Sequence, residues 1–379
     1  MCFELSFWEQ KQYFTNIDVV IVGSGIVGLS AALSLKEKSP KINILIVESG
    51  ALPSGASTKN AGFACIGSIS ELIDDLKKRE EEEVFALVEK RYNGLKRLRE
   101  RIGDAGMYYN AYGGYEVFDN VINYEECADK ITDFNFELNK RIGIKEIYKN
   151  ADASIAKLGL NNTKHLISCS AEGQIDSGMM MEALIDKAKL AGIKILNGLH
   201  VTSFENENDK IKLQTKNGYI FQAGRMLICT NGFAKQLLPS EDVEPARGQV
   251  LITSQIPLLK IKGNFHFDRG YFYFRNVEDR VLIGGGRNLS FETEHTTEQN
   301  VTTLIQSKLE ELLREMILPG INYSIEQRWA GTMGIGTNKD PIVKKIQKNI
   351  YCAVRMGGMG IALGSLTGEE AAALVFAEL

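Results

Sequence analysis

The stretch that decides the fold is residues 18–48, DVVIVGSGIVGLSAALSLKEKSPKINILIVE, which joins an apolar strand, a glycine turn, a helix and a second strand. The β-branched run at 18–22 is typical of a strand that is covered on both faces. The glycines that follow have the spacing GxGxxG. Gly23 permits a tight turn, Gly25 lets the backbone approach a phosphate, and Gly28 lets the helix pack close to the strand. Because the first N–H groups of a helix attract anions, this stretch predicts a phosphate-binding βαβ unit.

The second strand of this unit, residues 44–47, ends at Glu48. A carboxylate about twenty residues past the last glycine accepts hydrogen bonds from a ribose diol. The alternative is a structural βαβ unit without a ligand, but strand, turn, helix, strand and acid follow one another in the required order. A carboxylate also repels the 2′-phosphate of NADP, so the stretch predicts a site for FAD or NAD.

The composition is that of a globular α/β enzyme. A chain of 379 residues is long enough for two domains and a large core. A count of 36 glycines against 7 prolines favours many close backbone approaches over linker-rich or disordered structure. The formal net charge of −4 and the pI near 5.8 give no electrostatic footprint for nucleic acid. The expected partner is therefore a small molecule, and the oligomeric state is left open.

Cysteine spacing and hydropathy bear on the compartment. The six cysteines form no CxxC pair, so they are expected to be buried free thiols rather than a disulfide framework or a zinc site, and no metal site is expected. No apolar run reaches the roughly 18 residues that span a bilayer, and the first 14 residues lack the pattern of a signal peptide. The protein is expected to be cytoplasmic, with its N-terminal aromatic residues packed on the first domain.

Residues 49–68 follow the acid and are rich in small side chains. Hydroxyl and amide groups at Ser54, Ser57, Thr58 and Asn60 alternate with glycine and alanine, which leave room for a ring system to lie close to the backbone. The alternative is a flexible surface loop, although such a loop does not need so many small apolar residues. The stretch predicts a loop that leads into a helix beside the cofactor.

The rest of the chain alternates between two patterns. Residues 69–101 and 125–150 have helical spacing, 112–118 alternate like a strand of another sheet, and 172–204 return to the first domain. Residues 245–318 read as antiparallel strands and a helix. The prediction is an α/β fold, α+β overall, in which a Rossmann-type FAD-binding domain is joined to a mainly antiparallel substrate domain. The FAD-binding domain is assigned residues 16–88, 151–238 and 322–379, and the substrate domain residues 89–150 and 239–321.

Several separated motifs together resemble one family. GSGIVGL, GASTKNAGF, GQID, ICTNGF, RGQV, VLIGGG, RWAGT and GGMGIA occur in this order over nearly the whole chain. They are similar to the FAD-dependent amine and amino-acid oxidases, which include D-amino-acid oxidase, glycine oxidase, sarcosine oxidase and γ-glutamylputrescine oxidase. The resemblance is specific for fold and FAD but says little about the substrate.

The resemblance also implies which residues bind FAD, expected here to be non-covalent because no site of covalent attachment stands out. They are Gly23, Gly25, Ile26, Val27, Gly28, Glu48, Ser49, Ala56, Ser57, Thr58, Asn60, Ala61, Gly62, Val201, Thr230, Asn231, Gly232, Gly331, Gly357, Gly358, Met359, Gly360 and Ile361. The residues expected to act on the substrate are Tyr273, Arg275, Trp329 and Met333.

One departure from the family concerns the substrate carboxylate. Relatives that oxidise simple amino acids place one arginine after the Trp-Ala-Gly motif and one in the C-terminal glycine segment, whereas this chain has Met333 and Gly358 there. The pocket is then expected to favour a longer amine whose carboxylate is remote or missing. Alternatively, another arginine replaces the pair, the candidates being Arg275, Arg287, Arg328 and Arg355. Trp329 and Phe272 are equally compatible with an aromatic core.

The implied reaction is oxidation of the CH–NH bond of an amine or amino acid to an imine, by hydride transfer to FAD. This chemistry requires no acid–base dyad, and the four histidines, His165, His200, His266 and His295, are expected to be surface or packing residues. Two alternatives remain open. One is a quinone- or carrier-linked amino-acid dehydrogenase of the same fold, and the other is a flavin-binding protein without redox turnover.

Overall fold

The computed structural model describes residues 4–379, so the predicted free thiol of Cys2 lies outside the described residues. The other five cysteines are buried and free, as predicted. Within residues 4–379, no helix is both long and apolar enough to cross a bilayer.

Eighteen strands lie within this range. In chain order they are β1 (Ile17–Val22), β2 (Ile44–Val47), β3 (Phe63–Ala64), β4 (Gly114–Phe118), β5 (Tyr148–Asn150), β6 (His165–Cys169), β7 (Gly173–Gln174), β8 (Lys194–Leu196), β9 (Val201–Glu207), β10 (Lys210–Thr215), β11 (Ile220–Ile228), β12 (Glu244–Thr253), β13 (Asn264–Phe267), β14 (Phe272–Val277), β15 (Arg280–Gly285), β16 (Ile325–Ile335), β17 (Ile342–Gln347) and β18 (Ile350–Val354).

The α-helices of the same range are α1 (Phe7–Tyr13), α2 (Ile26–Lys38), α3 (Ala56–Lys59), α4 (Ile69–Leu76), α5 (Glu81–Gly106), α6 (Val121–Ala128), α7 (Ile131–Ile142), α8 (Ile155–Leu158), α9 (Ser177–Leu190), α10 (Thr303–Leu312) and α11 (Gly360–Phe376). Residues 69–101, predicted as one helical region, form α4 and α5. Residues 125–150, also predicted as helical, form α6 and α7 but end in strand β5, because β5 pairs with β6.

The first sheet has the order β17-β18-β11-β1-β2-β8, with β10 and β9 added beside β11. Strands β18, β11, β1, β2 and β8 are parallel. Both faces are covered, because one core cluster joins the sheet to α2, α5, α9 and α11 and a second lies on the opposite face. This burial explains why β1 and β2 read as continuous apolar runs.

The second sheet has the order β16-β12-β15-β14-β13-β4-β6-β5 and is antiparallel except between β13 and β4. Its strands alternate between a face packed on α10, which buries Phe265, Phe274 and Ile283, and a face turned toward the first sheet. The fold class predicted from the sequence is confirmed.

Two strands lie in a different sheet from the one that the predicted boundaries imply. Strand β6 was included in the FAD-binding segment 151–238, but it pairs with β4 and β5. Strand β16 was included in the segment 322–379, but it pairs with β12. Backbone hydrogen bonds therefore assign both strands to the second sheet. The other predicted boundaries stay predictions.

Candidate active site

A cavity of about 930 Å³ lies between the carboxyl ends of the parallel strands and one face of the second sheet. This volume is near the upper end of the roughly 300–1,000 Å³ that ligand pockets span. The predicted cofactor-binding residues that line it are Gly23, Gly25, Ile26, Val27, Glu48, Ser49, Ala56, Ser57, Asn60, Ala61, Val201, Thr230, Asn231, Gly331, Gly357, Gly358, Met359, Gly360 and Ile361. The cavity thus brings together segments from both ends of the chain.

The turn after β1 forms the first wall. Gly23 has a φ of +107°, and a Cβ there would lie 2.8 Å from the carbonyl oxygen of Cys229. Gly28 does not line the cavity, but a Cβ at Gly28 would overlap the carbonyl oxygen of Gly23. Helix α2 therefore packs directly on the turn, and the turn exposes backbone to the cavity. The backbone N–H of Ile26 donates to the Ser57 hydroxyl over 3.1 Å, which joins this turn to the next wall.

Glu48 ends β2 at the edge of the cavity and is 7% exposed. One carboxylate oxygen accepts hydrogen bonds from the backbone N–H and the hydroxyl of Ser24, over 3.1 and 2.9 Å. The other accepts from the backbone N–H of Gly50 over 3.0 Å. These bonds fix the orientation of the carboxylate, and because an ionised carboxylate has about four acceptor sites it can still accept from a ribose.

Replacing Glu48 with alanine is expected to weaken FAD binding and to destabilise the apoprotein as well. The dissociation constant of FAD should rise about 10- to 100-fold, which corresponds to the loss of one or two hydrogen bonds to a charged group. The free energy of unfolding of the apoprotein should fall by roughly 1–3 kcal/mol, because buried donors lose their acceptor. Fluorescence titration with FAD and urea unfolding measure the two effects. Ser24→Ala is the control, since it keeps the carboxylate, and equal FAD affinity in wild type and Glu48→Ala would remove the assigned role.

The segment after Glu48 forms the second wall and is held by hydrogen bonds. The backbone N–H of Gly62 donates to the side-chain oxygen of Asn60 over 2.8 Å, and the Ser177 hydroxyl donates to the same oxygen over 2.6 Å. Thr58 and Gly62 were predicted to bind the cofactor, but neither lines the cavity. The Thr58 hydroxyl donates to the carbonyl of Pro53, and Gly62 has a φ of +75° that turns the chain into β3. Both residues therefore lie behind the second wall and stabilise its conformation without facing the cavity.

The turn after β11 and the start of α11 form the third wall. The side-chain oxygen of Asn231 accepts from the backbone N–H groups of Arg355 and Met356, each over 3.1 Å. Gly232, also predicted to bind the cofactor, faces away from the cavity, where a Cβ would lie 2.5 Å from the carbonyl oxygen of Met333. The Thr230 hydroxyl lines the cavity and is buried without a hydrogen-bond partner among residues 4–379. An orphaned buried hydroxyl at this position fits a bound polar ligand.

One face of the second sheet forms the fourth wall. A row of cross-strand neighbours runs along it, consisting of His266, Tyr273, Gly284, Val250 and Trp329. The absence of a side chain at Gly284 leaves space for the Tyr273 ring, since a Cβ would lie 2.6 Å from that ring. Burial raises the pKa of Tyr273 to about 12, so its phenol stays neutral at pH 7. Tyr273 lies in the cavity, as predicted.

Trp329, at the end of this row, does not line the cavity. Its indole N–H donates to the carbonyl of Lys59 over 3.1 Å, and its ring packs with Ala61, Val250 and Leu282. Phe272 is buried on the opposite face of the sheet. The aromatic-core alternative therefore describes both residues, and Trp329 is removed from the predicted substrate-contacting set.

Arg275 was also predicted to contact the substrate, and the structure does not bring it to the cavity. It lies on the same face as Tyr273 but two residues further along β14, beneath the second wall. Its Nε donates to the carbonyl of Ala61 over 2.5 Å and its Nη2 to the carbonyl of Ile175 over 3.0 Å. Strand alternation identifies the face correctly but does not indicate where along the strand the cavity ends.

Met333 and Gly358 both line the cavity and lie beside each other. A Cβ at Gly358 would be 3.4 Å from the Met333 sulfur. The two positions at which the amino-acid-oxidising relatives carry arginines are thus adjacent here, and they present a thioether and bare backbone.

The sequence analysis missed a buried cluster at the sheet wall. His266 Nε2 lies 3.0 Å from a Glu172 carboxylate oxygen, and Cys65 lies close by, with the three donor atoms within 4.8 Å of one another. Burial disfavours a charged imidazole, but the carboxylate of Glu172, with Glu71 and Glu116, outweighs it and raises the pKa of His266 to about 9. His266 is therefore an imidazolium at pH 7 and not an isolated packing residue. The predicted absence of a metal site stays a prediction.

The sequence alone indicates only part of this cluster. The alternation of 264–267 and 272–277 predicts a hairpin in which His266 faces Tyr273, but Glu172 is 94 residues away. The charged mouth of the cavity was missed for the same reason. There Lys339 pairs with Asp75 over 2.8 Å and Arg269 with Asp74 over 3.0 Å, each across two distant segments.

Comparisons with known proteins agree with this architecture. The chain is 22% identical over 382 residues to a probable oxidoreductase OrdL of Haemophilus influenzae, covering 96% of this chain and 84% of the relative. The structure matches L-proline dehydrogenase from P. horikoshii with a TM-score of 0.77 at 18% identity, covering 95% and 93% of the two chains. It matches glycine oxidase from Bacillus cereus with a TM-score of 0.75 at 20% identity, covering 96% of each. At these identities the structural likenesses show the fold alone.

A family model supplies the assignment. The model described as FAD dependent oxidoreductase matches residues 18–374, from the first residue of the glycine-turn stretch almost to the end of α11. FAD is the cofactor that this family implies, and the bare glycine turn, the oriented Glu48 carboxylate and the unpartnered Thr230 hydroxyl fit it. The chain belongs to the FAD-dependent oxidoreductase family.

Proposed function

We propose that this protein oxidises the CH–NH bond of an amine or amino acid to an imine, with FAD as the oxidant. The observation that carries the proposal is that the glycine turn and the Tyr273 face of the second sheet line one and the same cavity. A dinucleotide held at the turn and a small molecule on the sheet would therefore share that space. The activities named for two structural neighbours, glycine oxidase and L-proline dehydrogenase, support an amine or amino acid as the class of substrate.

Each wall has a separate role in this proposal. The exposed backbone at Gly23 and Gly25, with the start of α2, would hold the pyrophosphate, and Glu48 would accept from the ribose. The segment Gly357–Ile361 would lie against the ring system, where missing side chains permit close approach. When bound, FAD supplies the redox chemistry by accepting a hydride from the carbon that bears the nitrogen. Tyr273 and Met333 would orient that carbon.

The ionisable groups of the sheet wall hold their protons at pH 7. Burial raises the pKa of the Cys65 thiol well above its usual range and that of Tyr273 to about 12, while Glu172 keeps His266 protonated. The His266 Nε2 proton is directed at Glu172, and the Cys65 thiol donates to the Met359 sulfur. None of the three groups is therefore available as a base at pH 7, and such a wall suits hydride transfer better than the removal of a proton by the protein.

The test is anaerobic titration of the FAD-loaded protein with a panel of primary amines, secondary amines and amino acids. We expect at least one member to bleach the yellow flavin absorption and to yield a carbonyl product after hydrolysis of the imine, with free FAD as the control. Protein that binds no FAD, or holoprotein that no member of the panel reduces, would refute the proposal. Acid precipitation of the holoprotein should release FAD into the supernatant, because we expect non-covalent binding.

Reoxidation of the reduced protein identifies the electron acceptor. Formation of peroxide in air would make the protein an oxidase, whereas reoxidation by a quinone but not by oxygen would make it a carrier-linked dehydrogenase. Both outcomes retain the CH–NH oxidation.

A further inference from the structure

Within the described part of the chain, residues 4–379, the cavity contains one arginine whose side-chain donors are not used. Arg287 lines the cavity, and its guanidinium makes no hydrogen bond or ion pair with any of residues 4–379. The Arg287 side chain is half-buried. Burial lowers the pKa of its guanidinium, and Tyr271 and Glu294 oppose that shift. A guanidinium stays charged in proteins, so Arg287 places an unpaired positive charge in the cavity.

The other candidate arginines are fully engaged elsewhere. Arg275 donates to backbone carbonyls, Arg328 pairs with Glu310 over 2.8 Å, and Arg355 pairs with Asp242 over 2.5 Å. None of these three lines the cavity. Arg269 does line it but is paired with Asp74. Arg287 is therefore the arginine that remains available to a ligand.

The chain around Arg287 holds it in this position. Gly285 and Gly286, with φ values of +110° and +80°, end β15 and turn the chain into a short 3-10 helix that begins at Arg287. The guanidinium lies over the Phe291 ring, 4.8 Å from its centre. This cation–π contact uses none of the N–H donors of the guanidinium. A free N–H edge matches a carboxylate bidentately.

Glu294 is the carboxylate that acts electrostatically on Arg287, but it is not paired with Arg287. Glu294 is 1% exposed, and Arg247 donates to both of its oxygens over 2.8 Å. Gln249 donates to the same carboxylate. Among residues 4–379, no carboxylate is therefore paired with the Arg287 guanidinium, and its N–H groups are open to a ligand in the cavity.

We infer that Arg287 binds a carboxylate of the substrate, so that the substrate is an amino acid rather than a simple amine. The inference rests on the proposed function. A single arginine on the sheet wall would take the place of the two arginines that amino-acid-oxidising relatives carry at the positions of Met333 and Gly358. Lys59 on the opposite wall and Lys78 are the competing cations, because both also line the cavity and neither forms an ion pair among residues 4–379.

The test measures binding without any redox step, so its outcome is separate from that of the proposed reaction. Calorimetric titration of the FAD-loaded protein compares anthranilate, a carboxylate with no C–H bond beside its amine, with its uncharged amide. We expect wild type to bind anthranilate at least about 10-fold more tightly than the amide, as for a charge-assisted bidentate pair. Arg287→Gln should abolish this preference, and Arg287→Lys should retain part of it.

Arg328→Gln is the matched control, since it removes the same charge outside the cavity and should keep the preference. Lys59→Gln discriminates between the two walls. Equal binding of anthranilate and its amide by wild type would overturn the inference, and so would loss of the preference in Lys59→Gln but not in Arg287→Gln. If Arg287→Gln does not retain FAD, the wild-type comparison and Arg287→Lys still decide the matter.

Discussion

Protein with Gly28 replaced by alanine is expected to be purified without FAD and to unfold at lower denaturant concentration than wild type. The added methyl group would overlap the carbonyl oxygen of Gly23, which is backbone and has no alternative rotamer. Helix α2 must then move away from the turn, and overpacking of this kind costs roughly 1–3 kcal/mol. Movement of Gly23 also disrupts the phosphate-binding backbone, so both stability and FAD content should fall.

Two further substitutions test whether the overlap with Gly23 causes the loss of FAD and of stability. At Gly25 the added methyl group meets only the Ser57 hydroxyl, at 2.8 Å, and a hydroxyl can rotate, so Gly25→Ala should retain more FAD than Gly28→Ala. At Gly106 in α5 the nearest atom would be 3.5 Å away, so Gly106→Ala should behave as wild type. The measurements are the ratio of flavin to protein absorbance and urea unfolding. Wild-type FAD content in Gly28→Ala would show that the turn does not hold the cofactor.

The second large effect is the dependence of stability on pH through His266 and Glu172. The pKa of His266 is raised from 6.5 to about 9 in the folded protein. The stabilisation is therefore complete below pH 6.5 and is lost as the pH rises through 9. The shift corresponds to roughly 3 kcal/mol in the free energy of unfolding. Urea unfolding at about pH 6, 7, 8 and 9 should show this loss.

Glu172→Gln should remove this pH dependence and lower stability at acid pH, because it leaves the imidazole buried without a charged partner. Glu116 provides a control in another pH window. Burial raises its pKa from 4.5 to about 7, so its ionisation destabilises the folded protein as the pH rises from 4.5 through 7. Glu116→Gln should therefore flatten the lower window and keep most of the upper one, because Glu172 contributes more than Glu116 to the raised pKa of His266. A flat stability profile between pH 6.5 and 9 in wild type would contradict the assigned pair.

What the sequence could predict about the site depended on local contacts. The turn after β1, helix α2 and Glu48 are joined within 31 residues, so glycine spacing and apolar periodicity were sufficient to predict the nucleotide half of the cavity. The same patterns predicted antiparallel strands in residues 245–318, while Tyr273 was named from the family resemblance. The GxGxxG spacing assigned phosphate approach to Gly25 and helix packing to Gly28, whereas the family resemblance placed both among the FAD-binding residues, and only Gly25 lines the cavity.

The sequence by itself thus determined the βαβ unit, the class of cofactor and the alternation of the substrate-facing strands, since each depends on neighbours close in the chain. Only the tertiary structure decided that Arg275 is engaged by backbone carbonyls, that Arg287 is paired with none of residues 4–379, and that His266 meets Glu172. It also decided that β6 and β16 lie in the second sheet. The physical reason is that hydrogen-bond ladders between distant strands, and the burial that follows from them, determine which polar groups are satisfied by the protein and which face the cavity.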